Sequence, residues 1–226
     1  MSTIRTFARS HPLLVTAVGL AIGLAVIWFV PSDGSLANMM FIRLGLTIVM
    51  FAIMAVAAGC NIIVPNAKSI GFSFKKSIYP LVVALVMGVF VLLGTAMKNE
   101  GMVSDWPLQL ALVIMLCLLV GTFEEGLFRG IVFSGLLARF GETRRGLIGA
   151  VIVSSLIFGF VHVTPSIMNG QVVTGLDMAQ AALKTLQAGI LGAFLAALFL
   201  KTRNIWGIAL VHGLNDLFVM LGDAIF

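Results

Sequence analysis

Seven apolar runs follow one another along this chain, near residues 12–30, 38–62, 78–97, 107–138, 146–164, 177–200 and 204–223. Each approaches or exceeds the roughly 20 residues that a helix needs to cross a hydrocarbon core. Inside a bilayer every backbone N–H and C=O must be satisfied within the segment, so such runs are expected to be helices. Composition agrees: the 226 residues are 60% hydrophobic and 10% charged, against about 25% charged in a soluble domain. The expected fold is all-α, a polytopic transmembrane helix bundle of about seven spans making one integral membrane domain over residues 1–226. The fourth run is too long for a simple crossing. At about 1.5 Å per residue it would reach about 48 Å against a core of about 30 Å. It must tilt, bend near its glycines or project from the membrane.

The net charge of +5 does not point to nucleic acid. The basic residues sit in short connections between apolar runs, where they set membrane orientation. Arg5, Arg9, Lys68, Lys75, Lys76, Arg139, Arg144, Arg145, Lys201 and Arg203 fall on one side, and only Lys98 falls between spans on the other. Arg43 and Lys184 lie within spans, near enough to the sparse side to snorkel. The bias predicts a cytoplasmic N-terminus and a C-terminus outside, in the cell membrane. Arg5 and Arg9 precede an apolar run that outlasts the roughly 7–15 residues of a signal peptide, so an uncleaved first span is expected. Trp28, Tyr79, Trp106 and Trp206 fall near the expected span ends, as interfacial aromatics do. Cys60 and Cys117 lie within apolar segments. Two thiols form no disulfide framework, and no C-x-x-C spacing exists.

Ionisable residues at membrane depth are costly and therefore informative. Three patterns stand out: Glu124-Glu125-x-x-x-Arg129, Phe158-x-x-x-His162 and His212-x-x-x-Asp216. Glu125 and Arg129 are four apart and share a helix face. Glu124 points about 100° away and lacks that partner. Two adjacent carboxylates in low dielectric do not both ionise cheaply. Arg129 would hold Glu125 charged and leave Glu124 to accept a proton, as a general base does. Taken singly, each pattern also reads as packing: a buried polar staple, a core histidine, a structural His–Asp pair. Gly126 and Gly130 have the small-x-x-x-small spacing that lets helices approach closely. Counted from the ends on the basic side, Glu125, His162, His212 and Asp216 lie about 12 to 24 Å deep, which allows one polar cluster.

In this order, on successive spans, Glu-Glu-x-x-x-Arg, Phe-x-x-x-His and His-x-x-x-Asp resemble the CAAX-protease and bacteriocin-processing family of intramembrane proteases. The motifs run from Glu124 to Asp216, within a core over residues 107–223. The resemblance implies an intramembrane endopeptidase acting on a peptide or membrane-protein substrate within the lipid bilayer. Its polar catalytic cavity would be formed by the C-terminal helices. Glu124 and His162 would activate water, and His212 and Asp216 would stabilise the oxyanion. Glu125, Arg129, Phe158 and Asn215 would support them. The family's usual Asn stands here as Asp216, with Asn215 before it; an ionised Asp cannot donate to an oxyanion, so Asp216 could be protonated, orient His212 or bind a metal. No cofactor is expected. Zinc, if bound, would take Glu124, His162, His212 and Asp216. An ion- or proton-coupled transporter, and a non-catalytic immunity protein on the same fold, are the competing functions, because intramembrane Glu, His and Asp also build ion paths.

Overall fold

The computed structural model describes residues 7, 10–29, 35–57, 62–99 and 101–226. Arg5, Arg9 and Cys60 lie outside them, as does the side chain of Trp28. Among the described residues the protein is 87% helical and has no strand. The helices are α1 (Pro12–Phe29), α2 (Leu36–Ala57), α3 (Ala67–Lys98), α4 (Trp106–Phe140), α5 (Arg144–Val161), the short α6 (Thr164–Met168), α7 (Gly175–Thr202) and α8 (Trp206–Ile225). Six are long and apolar enough to cross a membrane, and α1 adds a shorter apolar stretch over Pro12–Ala25. Their outward faces carry stripes such as Ile148, Ile152 and Leu156 on α5 and Leu183, Leu186 and Ile190 on α7, all exposed. Apolar side chains at such spacing have no reason to face water, and they suit lipid.

Local chemistry sets the ends. Asn66 Oδ1 accepts from Ser69 N at 3.1 Å and starts α3. Thr143 caps α5, and Thr174 with Asp177 forms a capping box at α7. Gly141 ends α4 with φ +81°, and Arg203 ends α7 in the left-handed helical conformation with φ 48°. The expected start of the third span, at residue 78, is 11 residues late. The segment from Ala67 is helical because Ser73 and Ser77 pack inward, fully buried, and a Cβ on Gly207 of α8 would stand 2.5 Å from Ser73 Oγ. Tyr79 accordingly lies inside α3 rather than at its end.

Helix α4 is the centre of the bundle, in contact with α1, α2, α5, α7 and α8, while α8 packs between α3 and α4 and α5 pairs with α7. Met50, Met54, Phe123, Leu127, Phe128, Phe158, Phe199 and Ile208 fill the core. Polar bonds tie each end of the bundle. At one end Asn204 Nδ2 donates to Val64 O at 2.7 Å, Trp206 Nε1 donates to Ile63 O at 2.7 Å, and Arg203 pairs with Glu142 at 2.8 Å. At the other, Val103 N donates to Ile225 O at 3.0 Å and Asn99 Nδ2 to Phe226 O at 2.9 Å. The first end gathers the connections rich in Lys and Arg, as the alternation of spans requires.

The long fourth run is one helix of 35 residues. It is α-helical to Glu125, π-helical over Gly126–Phe133, then α-helical again from Ser134. A π segment of this length is rare, and such segments concentrate at functional sites. Gly126 and Gly130 do not bring a helix backbone close; they receive the side chains of Met50 and Met54 from α2. The close approach is at Gly121 and Gly213, where a Cβ on Gly121 would stand 2.7 Å from Gly213 N and one on Gly213 2.7 Å from Cys117 O. That contact fixes α8 against the turn of α4 preceding the Glu pair.

Candidate active site

Four helices deliver the polar residues named above. Glu124 and Glu125 end the first α-helical part of α4, and Arg129 sits in its π segment. His162 caps the C-terminus of α5. His212, Asn215 and Asp216 come from α8, and α7 contributes a backbone carbonyl.

The deepest layer is charged and closed. Arg129 Nη1 donates to Glu125 Oε1 at 2.9 Å, with side chains 2% and 0% exposed. Its Nη2 donates to Gly192 O at 2.9 Å. Its guanidinium carbon stands 4.5 Å from the centre of the Phe158 ring. Gly192 must be small here, because a Cβ would approach Phe158 Cδ1 to 3.1 Å and Arg129 Nη2 to 3.5 Å. Glu125 Oε1 also receives His212 Nδ1 at 2.8 Å. A carboxylate only accepts, so the proton of this bond sits on Nδ1 and Nε2 faces outward from the charged layer.

The second layer lies against it. His162 Nδ1 contacts Phe158 O at 2.7 Å. A carbonyl also only accepts, so His162 presents its Nε2 to the site. That Nε2 is 3.5 Å from Glu124 Oε2, and His212 Nε2 is 3.9 Å from the same oxygen. Asp216 Oδ2 lies 3.6 Å from His212 Nε2. Glu124 Oε2 is buried and has no hydrogen-bond partner in the protein. Phe158 holds both imidazoles: its ring centre is 4.4 Å from that of His162 and 5.8 Å from that of His212. Phe128 in turn packs edge-on against Phe158 at 4.8 Å.

The structure thus brings Glu124, Glu125, Arg129, Phe158, His162, His212 and Asp216 together, and Asn215 stands half-buried beside Asp216. Gly192 and Phe128 carry no ionisable group, so motif reasoning passed over them. Arg43 departs from expectation. Its guanidinium does not snorkel to the sparse side; it lies 5.4 Å above the Phe123 ring, with Nη1 buried. Lys184 is exposed. Cys117 is buried and free. Among the described residues no group of three or more His, Cys, Asp or Glu is arranged to hold a metal ion.

Chemically, the site offers an unpaired carboxylate oxygen, two imidazole nitrogens aimed at it and a rigid ionic base beneath. That set can take a proton from a small nucleophile and return it. A family model described as type II CAAX prenyl endopeptidase Rce1-like matches residues 106–218, which is 113 of the 226 residues. No curated protein and no solved structure matches the chain.

Proposed function

The chain belongs to the type II CAAX prenyl endopeptidase Rce1-like family, and from that membership we propose that it hydrolyses a peptide bond with water activated by Glu124 and His162. Membership carries the coarse reading, an intramembrane endopeptidase in an integral membrane protein. The observation that carries the finer one is Glu124 Oε2: buried, without a hydrogen bond in the protein, 3.5 Å from one imidazole nitrogen and 3.9 Å from another. A buried carboxylate oxygen without a partner is expensive unless it has work to do.

A water bound between Glu124 Oε2 and His162 Nε2 gives its proton to Glu124, and its oxygen attacks the scissile carbonyl carbon. The oxyanion that forms would receive a hydrogen bond from His212 Nε2–H, while Nδ1–H stays on Glu125. Asp216, 3.6 Å from that Nε2, would face His212 with its charge rather than donate to the oxyanion. When the C–N bond breaks, Glu124 returns its proton to the leaving amine. Glu125 and Arg129 stay out of the chemistry and hold His212 in place. The substrate is a peptide or membrane protein, and the enzyme works in the cell membrane with its N-terminus cytoplasmic.

Purified protein in detergent, incubated with labelled peptides, tests this. Glu124→Gln should lower cleavage by about 10²–10⁴, the usual loss for a general base, and His162→Ala should behave alike. Neither rate should recover with added zinc. Full activity of Glu124→Gln on a defined peptide would refute the assignment.

A further inference from the structure

The candidate active site is closed on most sides. Beneath it the Glu125, Arg129 and His212 side chains are at most 2% exposed. The Gly121–Gly213 contact seals the seam between α4 and α8. The remaining side is open. His162 is 26% exposed, Asp216 24% and Glu124 13%. Val219 follows Asp216 by three residues, shares its face of α8, and is 47% exposed. The opening thus runs along the C-terminal half of α8, beyond His212.

The N-terminal half of α7 borders that opening. Leu191, Leu195 and Leu198 follow at intervals of four and three on the inward face of α7, and the last two are buried. Continued towards the N-terminus, the same face carries Gln187, Lys184 and Gln180, all exposed. A Cβ on Gly159 of α5 would stand 3.1 Å from Gly189 N and closer still to Thr185 O. Helices α5 and α7 are antiparallel, so His162, about one turn beyond Gly159, lies level with the turn that carries Lys184. The face towards lipid is different, with Leu183, Leu186 and Ile190. A polar stripe at membrane depth, turned to the bundle and covered by nothing there, suits a water-filled cleft rather than lipid.

We propose that the gap between the N-terminal half of α7 and the C-terminal half of α8 is the groove in which an extended peptide segment lies to reach Glu124, with Gln180, Lys184 and Gln187 bonding its backbone. The proposal rests on the endopeptidase reading. A carbonyl inside a helix is already bonded and shielded, so a segment to be cut must be extended, and its freed N–H and C=O groups need partners at membrane depth. Glutamine offers both a donor and an acceptor, and lysine offers three donors. These contacts read the backbone and not side chains, so the groove selects an unfolded segment rather than a sequence.

Thiol labelling tests it in the full-length protein, held in phosphatidylcholine nanodiscs and carrying Cys60→Ala and Cys117→Ala. Gln187→Cys and Val219→Cys should each react with hydrophilic methanethiosulfonates of either charge about tenfold faster than Ile190→Cys on the lipid side, because the reactive thiolate forms in water. The labelled peptides used for cleavage should protect the first two thiols and not the third. They should do so with Glu124→Gln present as well, where no turnover clears them. A bulky adduct on either groove thiol should lower cleavage by about tenfold or more against the same variant before modification, with recovery on reduction, and an adduct at Ile190→Cys should not. Equal labelling of Gln187→Cys and Ile190→Cys overturns the groove, as does cleavage indifferent to adducts at both Gln187→Cys and Val219→Cys. Fast thiols that no peptide protects overturn the peptide as occupant and leave an aqueous ion path. If Glu124→Gln cleaves as fast as the native protein, the endopeptidase reading of Glu124 falls, while labelling and protection still decide whether the groove takes a peptide.

Discussion

Arg129→Met removes the residue on which the lower layer of the site rests. The guanidinium makes one bond to Glu125, one to Gly192 O and one stack on Phe158, all away from solvent. Methionine fills much of the volume but leaves a fully buried carboxylate with His212 as its remaining partner and strands the Gly192 carbonyl. Breaking a buried ion pair from one side costs about 3–5 kcal/mol. At about 2–4 °C per kcal/mol for a chain of this size, the unfolding midpoint should fall by roughly 10 °C. Scanning fluorimetry in one detergent, at one scan rate, reads this. Activity should fall as well, because His212 loses its anchor. The paired variant Arg129→Met/Glu125→Leu removes both charges and should regain most of the stability, since an apolar pair of similar volume is often neutral or better. It should not regain activity. A midpoint within about 3 °C of the native protein for Arg129→Met would refute the reasoning, as would a double variant no more stable than the single one.

Asp216→Asn discriminates between mechanisms. If Asp216 only faces His212 across 3.6 Å, with no hydrogen bond to lose, cleavage should persist within about tenfold; if it is an anionic metal ligand, activity should collapse and be partly restored by zinc. Gly213→Val would push a side chain onto the Cys117 carbonyl, 2.7 Å from where its Cβ must stand, so α4 and α8 must part at a cost of about 1–3 kcal/mol. Because the shift also carries His212, cleavage should drop by about 10²-fold, with retained helicity by circular dichroism. Reporter fusions at Gly141 and Phe226 should give opposite signals, cytoplasmic at Gly141; a cytoplasmic signal at Phe226 would mean that the orientation or the number of spans is wrong.

Much of this was legible in the sequence because hydropathy and charge act over whole segments. Apolar runs located the spans, and the Lys/Arg asymmetry sorted their ends. The costly residues at depth were conspicuous against an oily background, which is why Glu124, Glu125, Arg129, His162, His212 and Asp216 could be named together. What escaped was backbone detail. The π segment at Gly126–Phe133 has no hydropathy signature, since the same side chains could continue an α-helix. Gly192 holds Arg129 through a carbonyl that every residue possesses. The small-residue spacing at 126 and 130 was visible, yet the tight crossing occurs at Gly121 and Gly213, because which glycine meets a backbone depends on how two helices are rotated. Ser73 looks like a connection residue until Gly207 on a neighbouring helix receives it. Arg43 was expected to reach the membrane edge, but the Phe123 ring offered a nearer surface for its charge.

The π segment has one more consequence. A widened stretch of this kind stores a surplus residue without disturbing the phase of the α-helix on either side. Upstream, the Glu pair can stay turned towards α5 and α8. Downstream, Gly135 can stay turned towards Thr16 of α1. The helix thus behaves as two independently aimed rods joined by a slack coupling, and Arg129 sits in the coupling. Deletion of one residue there would tighten the coil and leave both rods aimed as before. The guanidinium would swing off Glu125, and a chain folded almost as before would have lost the footing of its chemistry.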